Sequence, residues 1–149
     1  MSREAAEQLE AILGRMPYAR FLGLRAELAG DEMTAILPYS THLIGNPMLP
    51  ALHLGVLGAF MELTALAQLS IAKFPNGQGL ARQPRPIDVT VEYLRSGRPV
   101  DTNARAQIKR LGRRVANVQV EAWQEARDRP IAALHGHFHV TPAGGEGAA

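Results

Sequence analysis

The chain has 149 residues, 46% of them apolar and 20% charged, the composition of one globular domain with its own core. It contains no cysteine, which excludes disulfides, thiolate catalysis and cysteine-held metal. Net charge is +2 and pI about 9.4, but Arg95, Arg98, Arg105, Lys109, Arg110, Arg113 and Arg114 crowd one short stretch and point to an anionic partner.

Residues 3–16 place Ala5, Leu9, Ile12, Leu13 and Met16 at helical spacing, with Ser2 as a candidate N-cap, and predict a short amphipathic helix. This opening segment lacks the basic head and continuous apolar centre of a secretory signal, so the expectation is a cytoplasmic protein. After Pro17 and Tyr18 the period changes to two. Leu24, Ala26 and Leu28, then Met33, Ala35 and Leu37, alternate about a turn at Gly30-Asp31 and predict a hairpin. Tyr39 to Ala51, with Gly45, Asn46, Pro47 and Pro50, reads as loop.

Residues 51–72 are apolar on nearly all sides, with Glu62 their only ionised residue at neutral pH. Such a helix belongs inside a domain, and the central carboxylate argues against a membrane span. A buried acid is costly unless paired or used, so Glu62 is the first functional candidate. A turn cluster at 74–79 and an extended run at 82–86 follow. Four strands are then predicted: 87–94, 102–109, one through Ala116, Val118, Val120 and Ala122, and 131–140. Helix, two strands, buried helix, four strands with short connections implies an α+β domain. Its antiparallel sheet of about six strands curls around one long helix. The domain is expected over 1–142, with 143–149 a disordered tail.

The junction at 45–62, GNPMLPALHLGVLGAFME, resembles the signature of the PaaI-like hotdog thioesterases, with Asn46, His53, Gly55 and Glu62 at the motif's places. The likeness continues through 88–98, 111–116 and 133–138. The resemblance implies the hotdog fold and hydrolysis of acyl-CoA thioesters at a dimer interface, with no metal and no bound cofactor. Glu62 would be general base or nucleophile, the Leu54 or Gly55 N–H the oxyanion donor, and Asn46 would orient water or substrate. His53 would shape the site. Leu54 departs from the family's glycine, and Pro86 falls where some members carry serine or threonine, leaving Thr90 as the substitute candidate.

Substrate contacts are expected from Phe60, Met61, Thr90 and Tyr93 for an aryl or medium-chain acyl group. Arg95, Arg113 and Arg114 would bind the phosphates of coenzyme A. The partner expected is an acyl-CoA, with no nucleic acid and no membrane. The chain should form a homodimer or homotetramer paired through the strand from Ile87 to Leu94. A non-hydrolytic acyl-CoA or fatty-acyl binding protein, its oxyanion site closed by Leu54, is the alternative. The basic strands carry no aromatic stacking array for nucleic acid, Trp123 and Tyr93 being far apart. His135, His137 and His139 share one strand face, but the outer pair would stand about 13 Å apart, which favours a polar surface over one metal.

Overall fold

A computed structural model describes residues 3–29, 32–73 and 83–140. The expected turns at 30–31 and 74–79, the first part of the extended run at 82–86, and the tail beyond 140 lie outside the described residues. Helix α1 (Arg3–Gly14) buries Leu9 and Ile12 and ends two residues before the sequence pattern does. Met16 is buried too but extended, because Pro17 disfavours helical geometry in the residue before it. Pro17 opens α2 (Pro17–Leu22), which closes on Gly23 in the left-handed region at φ 70°.

Strands β1 (Arg25–Ala29) and β2 (Glu32–Leu37) form the expected hairpin. The stretch read as loop contains more structure than expected. A 3-10 turn (Thr41–Leu43) leads into a small hairpin of β3 (Ile44–Asn46) and β4 (Ala51–Leu52). Asn46 Oδ1 accepts the Met48 N–H at 3.0 Å and closes the bend, a side-chain turn that hydrophobic periodicity does not reveal.

Helix α3 (Leu54–Lys73) follows, then β5 (Arg85–Tyr93), β6 (Thr102–Leu111), β7 (Val115–Trp123) and β8 (Ala132–His139). The six long strands make one antiparallel sheet in the order β1-β2-β6-β7-β8-β5. This is the expected α+β hotdog arrangement, with α3 packed across the sheet from β2 to β5. The facing strands supply small residues: Ala104 and Ala106 on β6, Ala116 and Ala122 on β7, Ala132 and Gly136 on β8. They let the helix backbone lie close while Leu57, Phe60, Met61 and Leu69 fill the space between.

Polar groups on the buried helix are satisfied. Thr64 donates to the Phe60 carbonyl at 2.7 Å, Ser70 to the Leu66 carbonyl at 2.8 Å, and Gln68 Oε1 accepts the Met33 N–H of β2 at 3.2 Å. The helix is long and apolar enough to cross a membrane, but 61% of its apolar window is buried inside the chain itself.

Strand β5 leaves the helix and joins the far edge of the sheet beside β8. Ile87 is 55% exposed, Val89 39% and Tyr93 43%, so this edge carries apolar side chains that the chain itself does not cover. Gly136 lets β5 approach β8 closely, since a Cβ there would collide with the Asp88 carbonyl oxygen.

Candidate active site

The first turn of α3 is built around His53. Its N–H donates to the Leu43 carbonyl at 2.8 Å, while the Leu52 N–H donates to the Gly97 carbonyl at 2.9 Å, so the small hairpin anchors the helix start from both sides. The His53 carbonyl accepts the Val56 and Leu57 N–H groups. The ring folds back over the helix, and Nδ1 accepts the Gly55 N–H at 3.0 Å. Histidine is thus the N-cap, with Nδ1 unprotonated and any proton of the neutral ring on Nε2. Two glycines make room for it. A Cβ at Gly45 would stand 2.8 Å from His53 Cα, and one at Gly55 2.9 Å from Cε1.

Capping changes which amide is available. The Gly55 N–H, one of the two expected oxyanion donors, is occupied by His53. The Leu54 N–H has no partner among the described residues and points out of the helix end, where unpaired amides carry partial positive charge. The Leu54 side chain is 49% exposed beside it.

Beyond that amide an open stripe runs along α3 through Gly55, Gly58 and Ala59 to Glu62, residues at helical spacing that are all at least partly exposed on an otherwise buried helix. Glu62 is half-buried with no hydrogen-bond or ion-pair partner among the described residues, and desolvation holds its carboxyl above the ordinary value. A cost of this kind persists where the group is used. The Leu54 and Glu62 Cα atoms stand about 12 Å apart by helical rise.

Tyr93 of β5 borders this stripe. Its phenol donates to the Leu54 carbonyl at 2.8 Å and would lie 3.3 Å from a Cβ at Gly58, so it tethers the helix start to the edge strand. Tyr93→Phe is expected to lower the melting temperature by about 3 °C, the loss of one hydrogen bond worth about 1 kcal/mol. Kinetically it should lower kcat more than it changes KM. An unchanged melting curve would show that the phenol holds nothing.

The other expected site residues scatter. Phe60 and Met61 are fully buried core side chains and present no surface to a ligand. Thr90 faces away from α3 opposite His135, because β5 turns Val89 and Val91 inward. Asn46 spends its side-chain oxygen on its own bend. Arg95 is exposed on the β5–β6 connection, its N–H bonded to the Ile131 carbonyl, whereas Arg113 and Arg114 sit in the β6–β7 turn. Sequence reasoning missed the clasp of Gly45 and Gly55 on His53. Those glycines were visible in the sequence, but their common partner was not.

The thioesterase superfamily model matches residues 49–131, which contain the helix start, Glu62 and Tyr93. The chain belongs to the thioesterase superfamily. This superfamily member is 32% identical to a Chromobacterium violaceum protein of known structure, with a TM-score of 0.69 over 91% of this chain and 90% of that one. A Shewanella oneidensis protein related to the thioesterase superfamily aligns with a TM-score of 0.76 and 24% identity, over 92% and 95%. The E. coli PaaI protein from the phenylacetic acid degradation operon shares the fold with a TM-score of 0.69 and 20% identity, over 94% and 100%. No curated protein matches the superfamily member.

Proposed function

We propose that this protein hydrolyses acyl-CoA thioesters carrying an aryl or medium-chain acyl group, at a site shared by two copies of the chain. The observation that carries this reading is the open stripe of α3, with the Leu54 amide at one end and the half-buried Glu62 carboxylate further along, neither with a partner among the described residues. Glu62 activates water, which attacks the thioester carbon. The Leu54 N–H receives the oxyanion, and collapse of the tetrahedral species expels the coenzyme A thiolate. One amide in that role contributes about 3 kcal/mol to the transition state.

A second copy completes the site. The exposed apolar residues of the β5 edge need covering, and antiparallel pairing of two such edges across a two-fold axis also brings the two α3 stripes into opposition. The start of one helix then faces Glu62 of the other. Tyr93 and the exposed inner side of β5 border the acyl site, while Phe60 and Met61 support it from within the core. Asn46 and His53 shape the loop in front, and no metal or bound cofactor takes part.

The non-hydrolytic acyl-CoA binding alternative draws support from one feature, the loss of the Gly55 N–H to His53, which leaves a single donor. Release of free thiol from a panel of aryl, medium-chain and long-chain acyl-CoAs decides between the two. Turnover well above buffer, absent in Glu62→Gln, is the expected result. Binding without turnover establishes the alternative. Sedimentation at micromolar concentration should show at least a dimer, and a monomer would remove the shared site.

A further inference from the structure

The start of α3 is held at two points by the end of β5 and the connection that follows it, residues 94–101. The Tyr93 phenol donates to the Leu54 carbonyl at 2.8 Å, and the Gly97 carbonyl accepts the Leu52 N–H at 2.9 Å. His53 and the Leu54 N–H lie between these anchors. A shift of the connection is therefore passed to the amide that receives the oxyanion. The contact at Gly97 is tight: the residue is buried, and a Cβ there would stand 3.1 Å from Leu52 Cδ1 and 3.2 Å from Leu52 Cβ. Glycine lets its carbonyl reach the Leu52 N–H without displacing that side chain.

Residues 94–101 form no helix or strand, so their course is fixed by bonds to other parts of the chain. One end is tied to the Ile131 carbonyl, which accepts the Leu94 and Arg95 N–H groups at 2.8 and 3.0 Å. The other end is tied to Gln124. Its Oε1 accepts the Arg98 N–H at 3.0 Å, while Nε2 donates to the Arg98 carbonyl at 2.9 Å and to Thr102 Oγ1 at 3.1 Å. Gln124 follows the last residue of β7, and the β6–β7 ladder ends where Asn103 faces Trp123. Its side-chain amide thus supplies one more rung, to a segment that the ladder itself does not reach.

This bonding pattern selects glutamine. The Arg98 N–H requires an acceptor and the Arg98 carbonyl a donor, so the amide has one orientation, with both Nε2 hydrogens committed. Glutamate would set a carboxylate oxygen against that carbonyl, asparagine is one methylene short, and methionine fills the volume without bonding. The neighbouring ion pair is no substitute. Arg98 and Glu125 meet at 2.6 Å through exposed side chains, and pairs of that kind add little.

We propose that Gln124 is a positioning residue for thioester hydrolysis. By clamping both backbone groups of Arg98 it fixes the Gly97 carbonyl, and through the Leu52 N–H it aims the Leu54 N–H at the oxyanion. The inference rests on the hydrolase reading. Gln124 itself touches no substrate in this scheme. An oxyanion donor works only when held to within about 0.5 Å of its productive place, so a loosened clamp weakens the transition state and leaves ground-state binding nearly unchanged.

Steady-state kinetics and amide hydrogen exchange, both on the intact protein well below its melting temperature, test the proposal. Gln124→Met should lower kcat on acyl-CoA about tenfold or more, with KM within about twofold of wild type. The Leu52 N–H should exchange about tenfold faster in that variant, while the Val120 N–H in the sheet exchanges as in wild type. Gly97→Ala strikes the same link from its other side. It should reproduce the loss of kcat, and it carries the test alone if Gln124→Met does not fold. Glu125→Gln removes the ion pair with the amide bonds intact and should keep wild-type kcat. So should Leu9→Ala, a core truncation on α1 that lowers the melting temperature at least as much as Gln124→Met. Unchanged exchange at Leu52 in Gln124→Met overturns the clamp. Faster exchange with wild-type kcat overturns the positioning role and leaves the hydrolase reading standing. A kcat loss matched by Leu9→Ala makes Gln124 a structural residue only. If wild type hydrolyses no acyl-CoA, the hydrolase reading falls and takes the positioning role with it, even where exchange at Leu52 responds.

Discussion

Glu62→Gln is expected to lower kcat for acyl-CoA hydrolysis about a hundredfold or more with little change in assembly, because it keeps the shape of the side chain and removes its basicity. The physical basis is the environment of the carboxylate, half-buried on α3 with no partner among the described residues and a pKa raised by desolvation. The working form is the carboxylate, so wild-type kcat should rise with pH through the raised value, a limb that the variant lacks. Stability moves the other way. Raised in the folded state, this group binds its proton more tightly folded than unfolded. Wild type therefore loses some stability as pH climbs from the ordinary carboxylate range through the raised value, and stays at that lower level at neutral pH. Glu62→Gln carries no such charge and should melt no lower than wild type at pH 7. A variant with lower melting temperature and intact turnover would make Glu62 a structural partner.

Substitutions at His53 separate capping from chemistry. His53→Ala removes the acceptor of the Gly55 N–H and should cost about 1 kcal/mol of stability, as for the loss of other helix caps. His53→Asn restores an uncharged acceptor and should recover most of that loss. His53→Asp also caps well, and its charge suits a helix N-terminus, so the fold should hold. Yet it sets a carboxylate beside the amide that receives the oxyanion. At about 4 Å and an effective dielectric near 20 that repulsion is about 4 kcal/mol, and exposure to solvent roughly halves it. His53→Asp should thus melt like the Asn variant while kcat falls about thirtyfold below it. Equal turnover in the two would place the oxyanion away from this helix end. Circular dichroism melts beside steady-state kinetics read both effects.

Much of the fold was legible because hydrophobic period is a local property. Alternation at Met33, Ala35 and Leu37, and at Ala116, Val118, Val120 and Ala122, marks strands whose buried faces the structure repeats. The apolar run holding Glu62 marks the central helix. What was not legible depends on register and on partners remote in sequence. Seven basic residues between 95 and 114 read as one patch, but Arg98 pairs with Glu125 of the β7–β8 loop, Arg105 with Glu32 of β2, Arg95 sits on the β5–β6 connection and Lys109 on β6, and Arg110, Arg113 and Arg114 line a cleft at the β6–β7 turn. Asp88 and His137 are 49 residues apart and meet because two strands pair with a shifted register. Phe60 and Met61, next to the candidate acid in sequence, point into the core because a helix turns neighbouring side chains to different faces.

The strand order also has a bearing on how the chain is made. Strand β2 pairs with β6, bringing Thr34 against Arg105, and four of the five strands beneath α3 come after it in the sequence. A ribosome therefore releases the most apolar segment well before its cover exists. Until β5 to β8 emerge, the growing chain can offer that helix only the elements that precede it, the two hairpins and the N-terminal helices. Long-range pairing of this kind is slow, and exposed apolar surface invites aggregation meanwhile. Synthesis, rather than refolding of the finished chain, is the stage at which this architecture calls most strongly on chaperones.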